Sequence, residues 1–328
     1  MTPTLPVPGT VFARLALTRC LAPGLAIALA GCASAKPLMA VAAPVGDLRA
    51  QPHTTPQPAV HDPLQETQLL YGERVRVLRQ QDGWAYVEAV EQPEFTHARR
   101  WQGYPGWLPL ALLSPWQLLL EPNIVVTEKW APSWQDPYSM TPSAWRFPLG
   151  SRLVASDIGG QLWRVELLDG TMVWMSHRDA QPLAALRELS APERRRAIVR
   201  NASLLVGEPY YWGGRSPGVG VDCSGLVNLS YRSAGVDIPR DAHEQFLRAS
   251  PVKALQPADL IFLSERGNPQ RVVHVLLYAG HGELIEGPGT GSAVRRITVA
   301  ERFGQSVDWV TSGSVVGDQT VSFGSYIP

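Results

Sequence analysis

The stretch Asp222-Cys223-Ser224-Gly225-Leu226-Val227 follows a glycine-rich loop, Trp212-Gly213-Gly214-Arg215-Ser216-Pro217-Gly218, and opens an apolar helix. It constrains the fold more than any other segment of the chain. The backbone must turn tightly and then present unpaired N–H groups and the positive end of a helix dipole to a cysteine side chain. Sulfur in that position is stabilised as thiolate, which makes Cys223 a candidate nucleophile.

Cysteine usage sharpens the point. The chain holds three cysteines. Cys20 begins an apolar run to Ala30 that follows Arg14 and Arg19 and is too short to span a bilayer, so residues 1–31 read as an export signal peptide. The run ends in Leu29-Ala30-Gly31-Cys32, which resembles the lipobox of bacterial lipoproteins, where the signal is cut before a cysteine that receives lipid; an ordinary cut at Ala33-Ser34-Ala35 is the other reading. Lipid on Cys32 would anchor the chain to a bacterial membrane on the periplasmic side. Ala33, in place of the aspartate that marks inner-membrane retention in some bacteria, favours the outer membrane. Cys223 is then the one thiol left in an exported chain, where a lone cysteine is better explained by chemistry than by pairing.

With 45% hydrophobic and 18% charged residues the composition is globular, and 328 residues suffice for two or three domains. The 29 basic and 29 acidic residues balance; removing residues 1–31 takes away Arg14 and Arg19 and no acid, leaving −2. That balance argues against nucleic-acid partners and against polybasic membrane binding. No metal-ligand spacing is visible and no cofactor is expected.

Residues 32–60 are rich in Pro and Ala and read as a tether. Between 61 and 115, Arg74-Val75-Arg76-Val77-Leu78 and Trp84-Ala85-Tyr86-Val87-Glu88-Ala89 alternate around Asp82-Gly83, a hairpin signal. With Gln68, Gly72-Glu73 and Gly106-Trp107 they resemble a bacterial SH3-like barrel. The rhythm recurs over 116–186, in Leu149–Val154, Gln161–Leu167, Asp169-Gly170 and Val173-Trp174-Met175, which predicts a second small barrel. Trp84, Trp107, Trp163 and Trp174 are expected to pack in cores and rims. A new domain, 187–328, opens at Ser190-Ala191-Pro192-Glu193, a capping-box spacing before a helix over 191–206. Helix 223–235 and strands near 258–264, 271–279 and 282–286 follow, with residues 312–328 unassigned.

A cysteine nucleophile needs a base, and the base needs a third polar group to fix its tautomer. His274, inside the apolar strand Arg271-Val272-Val273-His274-Val275-Leu276-Leu277-Tyr278, is the candidate; the strand alone leaves it open whether this is a base or a satisfied core histidine. Four segments decide the matter: Pro209-Tyr210-Tyr211-Trp212-Gly213-Gly214, Asp222-Cys223-Ser224-Gly225, Asp259-Leu260-Ile261-Phe262 and His274-Val275. In order and spacing they resemble the NlpC/p60 family of papain-like cell-wall cysteine peptidases.

The resemblance implies an α+β fold, a papain-like catalytic domain preceded by two small all-β SH3-like barrels. It places Glu286 at the third polar position, where the family usually has His, Asn or Gln, and Tyr210 as an oxyanion donor beside the Cys223 N–H. Pro239-Arg240-Asp241-Ala242-His243-Glu244-Gln245 resembles the Arg-Asp-Ala-x-x-Gln motif of one branch, which cleaves the γ-D-glutamyl–diamino acid bond of peptidoglycan stem peptides bearing a free N-terminal L-alanine. Carried over, the ammonium of that alanine meets Asp241, with Ser224 adjacent and Tyr104 and Glu73 supplied by the first barrel. The implied partner is a muropeptide-derived peptide, and the protein is expected to be a monomer. Cleavage of another wall bond, or a wall-binding lipoprotein with a silent peptidase domain, are the competing readings.

Overall fold

Asp82 and Gly83 both take positive φ, 48° and 80°, the backbone of a two-residue hairpin turn whose twist matches the flanking strands. The computed structural model describes residues 38–55, 61–116 and 121–328; the signal-peptide, Cys20 and Cys32 assignments lie outside them. The hairpin joins β4 (Arg74–Gln81) to β5 (Trp84–Glu94) in a seven-stranded antiparallel sheet completed by β1 (Leu38–Val41), β2 (Val45–Arg49), β3 (Gln65–Leu70), β6 (Gln102–Pro109) and β7 (Leu113–Pro115), in the order β3-β2-β6-β5-β4-β1-β7. Val75, Val77, Ala85, Val87 and Ala89 point inward with Leu48, Leu69 and Leu108 to make its core.

The tether expected over residues 32–60 is corrected here for its described part. Leu38–Val41 and Val45–Arg49 are strands, and Val41 and Leu48 are fully buried. The short segments find their partners far along the chain, Met39 opposite Val75 and Arg49 opposite Trp107, so the Pro- and Ala-rich local composition conceals them.

The second sheet contains β8 (Ile124–Val126), β9 (Trp130–Trp134), β10 (Pro142–Pro148), β11 (Arg152–Asp157), β12 (Leu162–Glu166), β13 (Met172–Ser176) and β14 (Ala180–Pro182), ordered β10-β9-β13-β12-β11-β8-β14. Phe147, Leu153, Val165, Val173 and Met175 fill its core, which also takes Tyr71 from the first sheet. The Tyr71 hydroxyl accepts the Leu168 N–H at 2.6 Å.

After the short α1 (Leu183–Arg187), α2 (Ala191–Ser203) starts where the Ser190 N–H donates to Glu193 Oε2 at 2.9 Å. A small hairpin of β15 (Arg215–Ser216) and β16 (Gly220–Val221) leads into α3 (Cys223–Arg232), followed by α4 (Ala242–Arg248). The large sheet of this domain runs β17 (Ser250–Pro251), β23 (Gln319–Ser325), β18 (Leu260–Glu265), β19 (Asn268–Gly280), β20 (Glu283–Glu286) and β21 (Arg295–Thr298), with α5 (Val299–Phe303) after β21 and β22 (Val315–Val316) paired to β23. The fold is α+β. Leu260, Phe262, Val275, Leu277 and Ile285 face α2 and α3, while Ile261, Leu263, Leu276 and Leu284 face a second apolar layer with Phe303, Val321 and Phe323. Burial on both faces is why these strands read as near-continuous apolar runs. Residues 319–325, unassigned in the sequence, pair directly with β18 inside the sheet.

Candidate active site

Asp222 caps α3. Its Oδ1 accepts the Gly225 N–H at 2.6 Å, and Oδ2 reaches back to the Gly213 N–H at 2.9 Å, tying the glycine-rich loop to the helix start. A Cβ on Gly225 would strike the carbonyl oxygen of Gly214, so only glycine lets loop and helix close this tightly. Cys223, the first helical residue, is held at the dipole's positive end and keeps 8% exposure at the floor of a cleft of ≈ 360 Å³.

His274 stands behind it on β19. Its Nε2 lies 3.2 Å from Glu286 Oε2, which leaves Nδ1 for the Cys223 sulfur. Burial opposes charging of this ring, but Cys223 and Glu286 outweigh it and push His274 up to about 9. Glu286, at the end of β20, is fully buried. Burial works against its charge too, yet His274, Arg295 and Arg302 hold its carboxyl down at about 2. The geometry therefore presents a thiol, an imidazole and a carboxylate in sequence, the order that favours a thiolate–imidazolium pair.

Tyr210 lines the same cleft. Burial first, then the Cys223 and Asp222 charges, raise its phenol pKa, so the hydroxyl remains a donor. A Cβ on Gly287 would lie 3.4 Å from the Tyr210 ring and 3.5 Å from the Cys223 nitrogen, so a glycine brings the chain after Glu286 close to both.

One guanidinium organises the next part of the cleft. Arg240, fully buried, donates to Asp222 Oδ2 at 2.8 Å, to Ser224 Oγ at 2.8 Å and to Asp241 Oδ1 at 3.4 Å, while its Nε bonds Thr67 Oγ1 of β3 at 2.7 Å. Asp241 thus sits at a fixed offset from the helix that carries the nucleophile. The Tyr104 hydroxyl donates to Asp241 Oδ2 at 3.0 Å, with Glu66 Oε2 at 3.4 Å. Burial, with Asp222 and Glu244 adding to it and Arg240 opposing, pushes Asp241 up to about 7. Glu66 Oε2 also lies 3.7 Å from His97 Nε2, and together with Glu94 it raises that imidazole to about 9 against its partial burial. Gln245 clasps the segment from below, its Nε2 donating to the Ser224 and Pro239 carbonyls at 3.0 and 3.1 Å.

Cys223, Ser224, Tyr210, Tyr104 and Asp241 therefore share one cleft, with His274 and Glu286 stacked behind the cysteine. Glu73 is not among them, which corrects its assignment to the substrate cleft. It is fully buried between the first sheet and the catalytic domain, accepting from Arg215 at 2.9 and 3.1 Å and from Gln92 at 2.9 Å. Arg215 and Arg232 hold its carboxyl down at about 2 despite the burial. The carboxylate that the first sheet supplies to the cleft is Glu66. Glu66 sits on a strand, β3, whose neighbours Gln65 and Thr67 face inward, and nothing local distinguishes it from a solvated strand glutamate. His97 and Arg240 were also unassigned, although Arg240 lies within the motif that singles out Asp241.

The sequence pattern of the NlpC/P60 family matches residues 207–311, and that of the bacterial dipeptidyl-peptidase SH3 domain matches residues 58–92. A γ-D-glutamyl-L-lysine dipeptidyl-peptidase of Bacillus cereus is 31% identical over 243 residues, covering 71% of this chain and 70% of the relative. The chain belongs to the NlpC/P60 family. A Bacillus subtilis enzyme of the same name is 28% identical over 242 residues, covering 73% and 78% of the two chains. In fold, an NlpC/P60 family protein from Bacillus cereus superposes with a TM-score of 0.70 at 23% identity, over 89% of this chain and 100% of that one. As a member of NlpC/P60 the protein is a cysteine peptidase that acts on peptidoglycan peptides.

Proposed function

We propose that the protein hydrolyses the γ-D-glutamyl–diamino acid bond of stem peptides whose N-terminal L-alanine is free, and that it serves the turnover of muropeptides already released from glycan. The observation that carries this reading is the acidic end of the cleft, Asp241 with Tyr104 and Glu66, tied by Arg240 to the helix that presents Cys223. A carboxylate cluster of this kind suits an ammonium group. Leaving it without one when an acylated substrate enters costs several kcal/mol, so peptides still joined to glycan through an amide are rejected.

In the proposed mechanism the Cys223 thiolate adds to the γ-glutamyl carbonyl carbon, and the carbonyl electrons move onto oxygen. The Cys223 N–H and the Tyr210 hydroxyl hold that oxyanion. The C–N bond then breaks, His274 gives its proton to the leaving amine, and a thioester remains. Water, losing a proton to His274, adds to the thioester carbon; the C–S bond breaks, which releases the L-Ala-γ-D-Glu dipeptide and restores the thiolate–imidazolium pair. Glu286 fixes the ring plane throughout. The two antiparallel sheets are proposed to be closed SH3-like barrels, and lipid on Cys32 to tether the protein at the periplasmic side of the outer membrane.

The test is mass spectrometry of residues 33–328, which keep all of β1, incubated with L-Ala-γ-D-Glu-diaminopimelate-D-Ala and with its N-acetylated form. Release of L-Ala-γ-D-Glu from the free peptide alone, abolished by Cys223→Ala, supports the reading. Equal cleavage of both peptides removes the requirement for a free ammonium and moves the protein to another class of wall peptidase, and activity retained by Cys223→Ala removes the nucleophile.

A further inference from the structure

Glu286 is the third member of the catalytic row, and its surroundings are as unusual as its identity. Its Oε1 accepts two hydrogen bonds from Arg295, from Nε at 3.0 Å and Nη2 at 2.7 Å. Its Oε2, the oxygen that meets His274, also accepts from Arg302 Nε at 3.2 Å. Arg295 stands directly across the β20–β21 ladder from Glu286, and Arg302 reaches in from α5. A wholly buried carboxylate thus carries one imidazole and two guanidinium partners, while the guanidinium side chains remain 50% and 25% exposed.

An ionised carboxylate in contact with a catalytic imidazole binds the imidazolium more tightly than a neutral side chain does. Left alone, it would hold the His274 proton too firmly for easy transfer to a leaving amine, and its burial would favour protonation and loss of the contact. Two nearby cations oppose both tendencies. They stabilise the anion, and they repel a positive charge on His274 by sharing the oxygen it bonds.

We propose that Arg302 and Arg295 are positioning residues of the peptidase reaction, a guanidinium clamp that keeps Glu286 ionised and aligned while lowering the basicity of His274. This rests on Cys223 and His274 being the reacting pair.

The other charged groups on elements packed against β19 do not duplicate the clamp. From α3 come Cys223 itself and its cap Asp222, which is neutralised by Arg240 at 2.8 Å. From α4 come Asp241, His243 and Glu244, the last accepting from the Thr96 N–H at 3.0 Å. Glu265 on β18 pairs with Arg271 at 3.0 Å, and α2 offers Arg195, paired with Asp259 at 2.7 Å. None of these is a hydrogen-bond partner of Glu286.

The experiment measures the pH dependence of kcat/KM on L-Ala-γ-D-Glu-diaminopimelate for the parent, Arg302→Gln, Arg302→Lys and Arg295→Gln, with ultraviolet thiolate absorbance recorded across the same range. Loss of the Arg302 charge is expected to raise the alkaline limb by roughly half a unit to one unit, the effect of a partly screened charge several ångströms away. Arg302→Lys is expected to keep the limb near its parental position. Arg295→Gln, at a half-exposed surface position, should shift the limb in the same upward direction and serves as the readout if Arg302→Gln does not fold. Limbs that stay in place in the glutamine variants, with activity changing only as stability does, overturn the proposal. Cleavage that survives Cys223→Ala would instead refute the underlying site assignment.

Discussion

Replacing Asp241 by asparagine removes one negative charge from the acidic end of the cleft while keeping its shape. The Tyr104 hydroxyl can still donate to an amide oxygen in place of Asp241 Oδ2, 3.0 Å away, and Arg240 keeps its bonds to Asp222 and Ser224, so the fold is expected to survive. What is lost is the charge that faces the substrate ammonium. Truncating one partner of a buried, hydrogen-bonded charge pair costs about 2–5 kcal/mol. The Asp241 side chain is 37% exposed, and Glu66 remains beside it, so the low end applies. About 2–3 kcal/mol corresponds to a roughly 30- to 150-fold fall in kcat/KM. The fall should appear mainly in KM if the ammonium is bound equally in ground and transition states. Steady-state cleavage followed by mass spectrometry, on the free and the N-acetylated peptide in parallel, reads the effect as a ratio. The preference for the free peptide should collapse, with cleavage of the acetylated peptide unchanged or improved. If both substrates lose activity equally and the preference persists, the ammonium does not meet Asp241 and the substrate orientation proposed above is wrong.

Because burial pushes Asp241 up to about 7 and an ammonium ligand favours its ionised form, affinity for the free peptide should increase with pH up to about 7 and fall again above about 8, where the peptide's own α-ammonium loses its proton. KM measured from mildly acidic to neutral pH tests this, and a flat profile contradicts it. Tyr210→Phe removes an oxyanion donor without altering ring packing, and should lower kcat about 10²-fold with little change in KM; an unaltered kcat would leave the Cys223 N–H as the donor without Tyr210. Glu73→Gln leaves Arg215 buried without its counter-charge and should destabilise the protein by about 3–5 kcal/mol in denaturant unfolding. It should leave the preference for free over acetylated peptide intact among folded molecules, and loss of that preference would return Glu73 to substrate recognition.

Much of this arrangement is legible in the sequence because it is local. The turn at Asp82-Gly83, the helix that opens at Asp222-Cys223 after a glycine-rich loop, and the capping pair Ser190 and Glu193 each write their geometry into neighbouring residues. His274 stands out because a histidine interrupts an apolar strand, and the family-like order of the segments around it supplies its role. What escaped detection depends on contacts distant in the chain. Strands β1 and β2 are too short to show a period, and their partners β4 and β6 lie beyond intervening strands. Glu66 lies on β3 and Glu73 in the turn between β3 and β4, and only the packing of the first sheet against the catalytic domain decides that one borders the cleft while the other turns inward to Arg215. The partners of Glu286 are set by the β20–β21 register and by α5, neither of which has a sequence signal reaching back to residue 286.

Glu73 enters the catalytic domain from outside it, and its consequence concerns how such enzymes can evolve. Arg215 and Arg232 are each at most 4% exposed and share this one carboxylate. A catalytic domain severed from the first sheet would bare two guanidinium groups deprived of their shared anion, and Arg240 would lose its bond to Thr67. The N-terminal sheet is therefore not a detachable targeting accessory that can be traded among hydrolases by simple fusion. Any recombination that exchanges it must carry a glutamate at this position, or alter Arg215 and Arg232 at the same time.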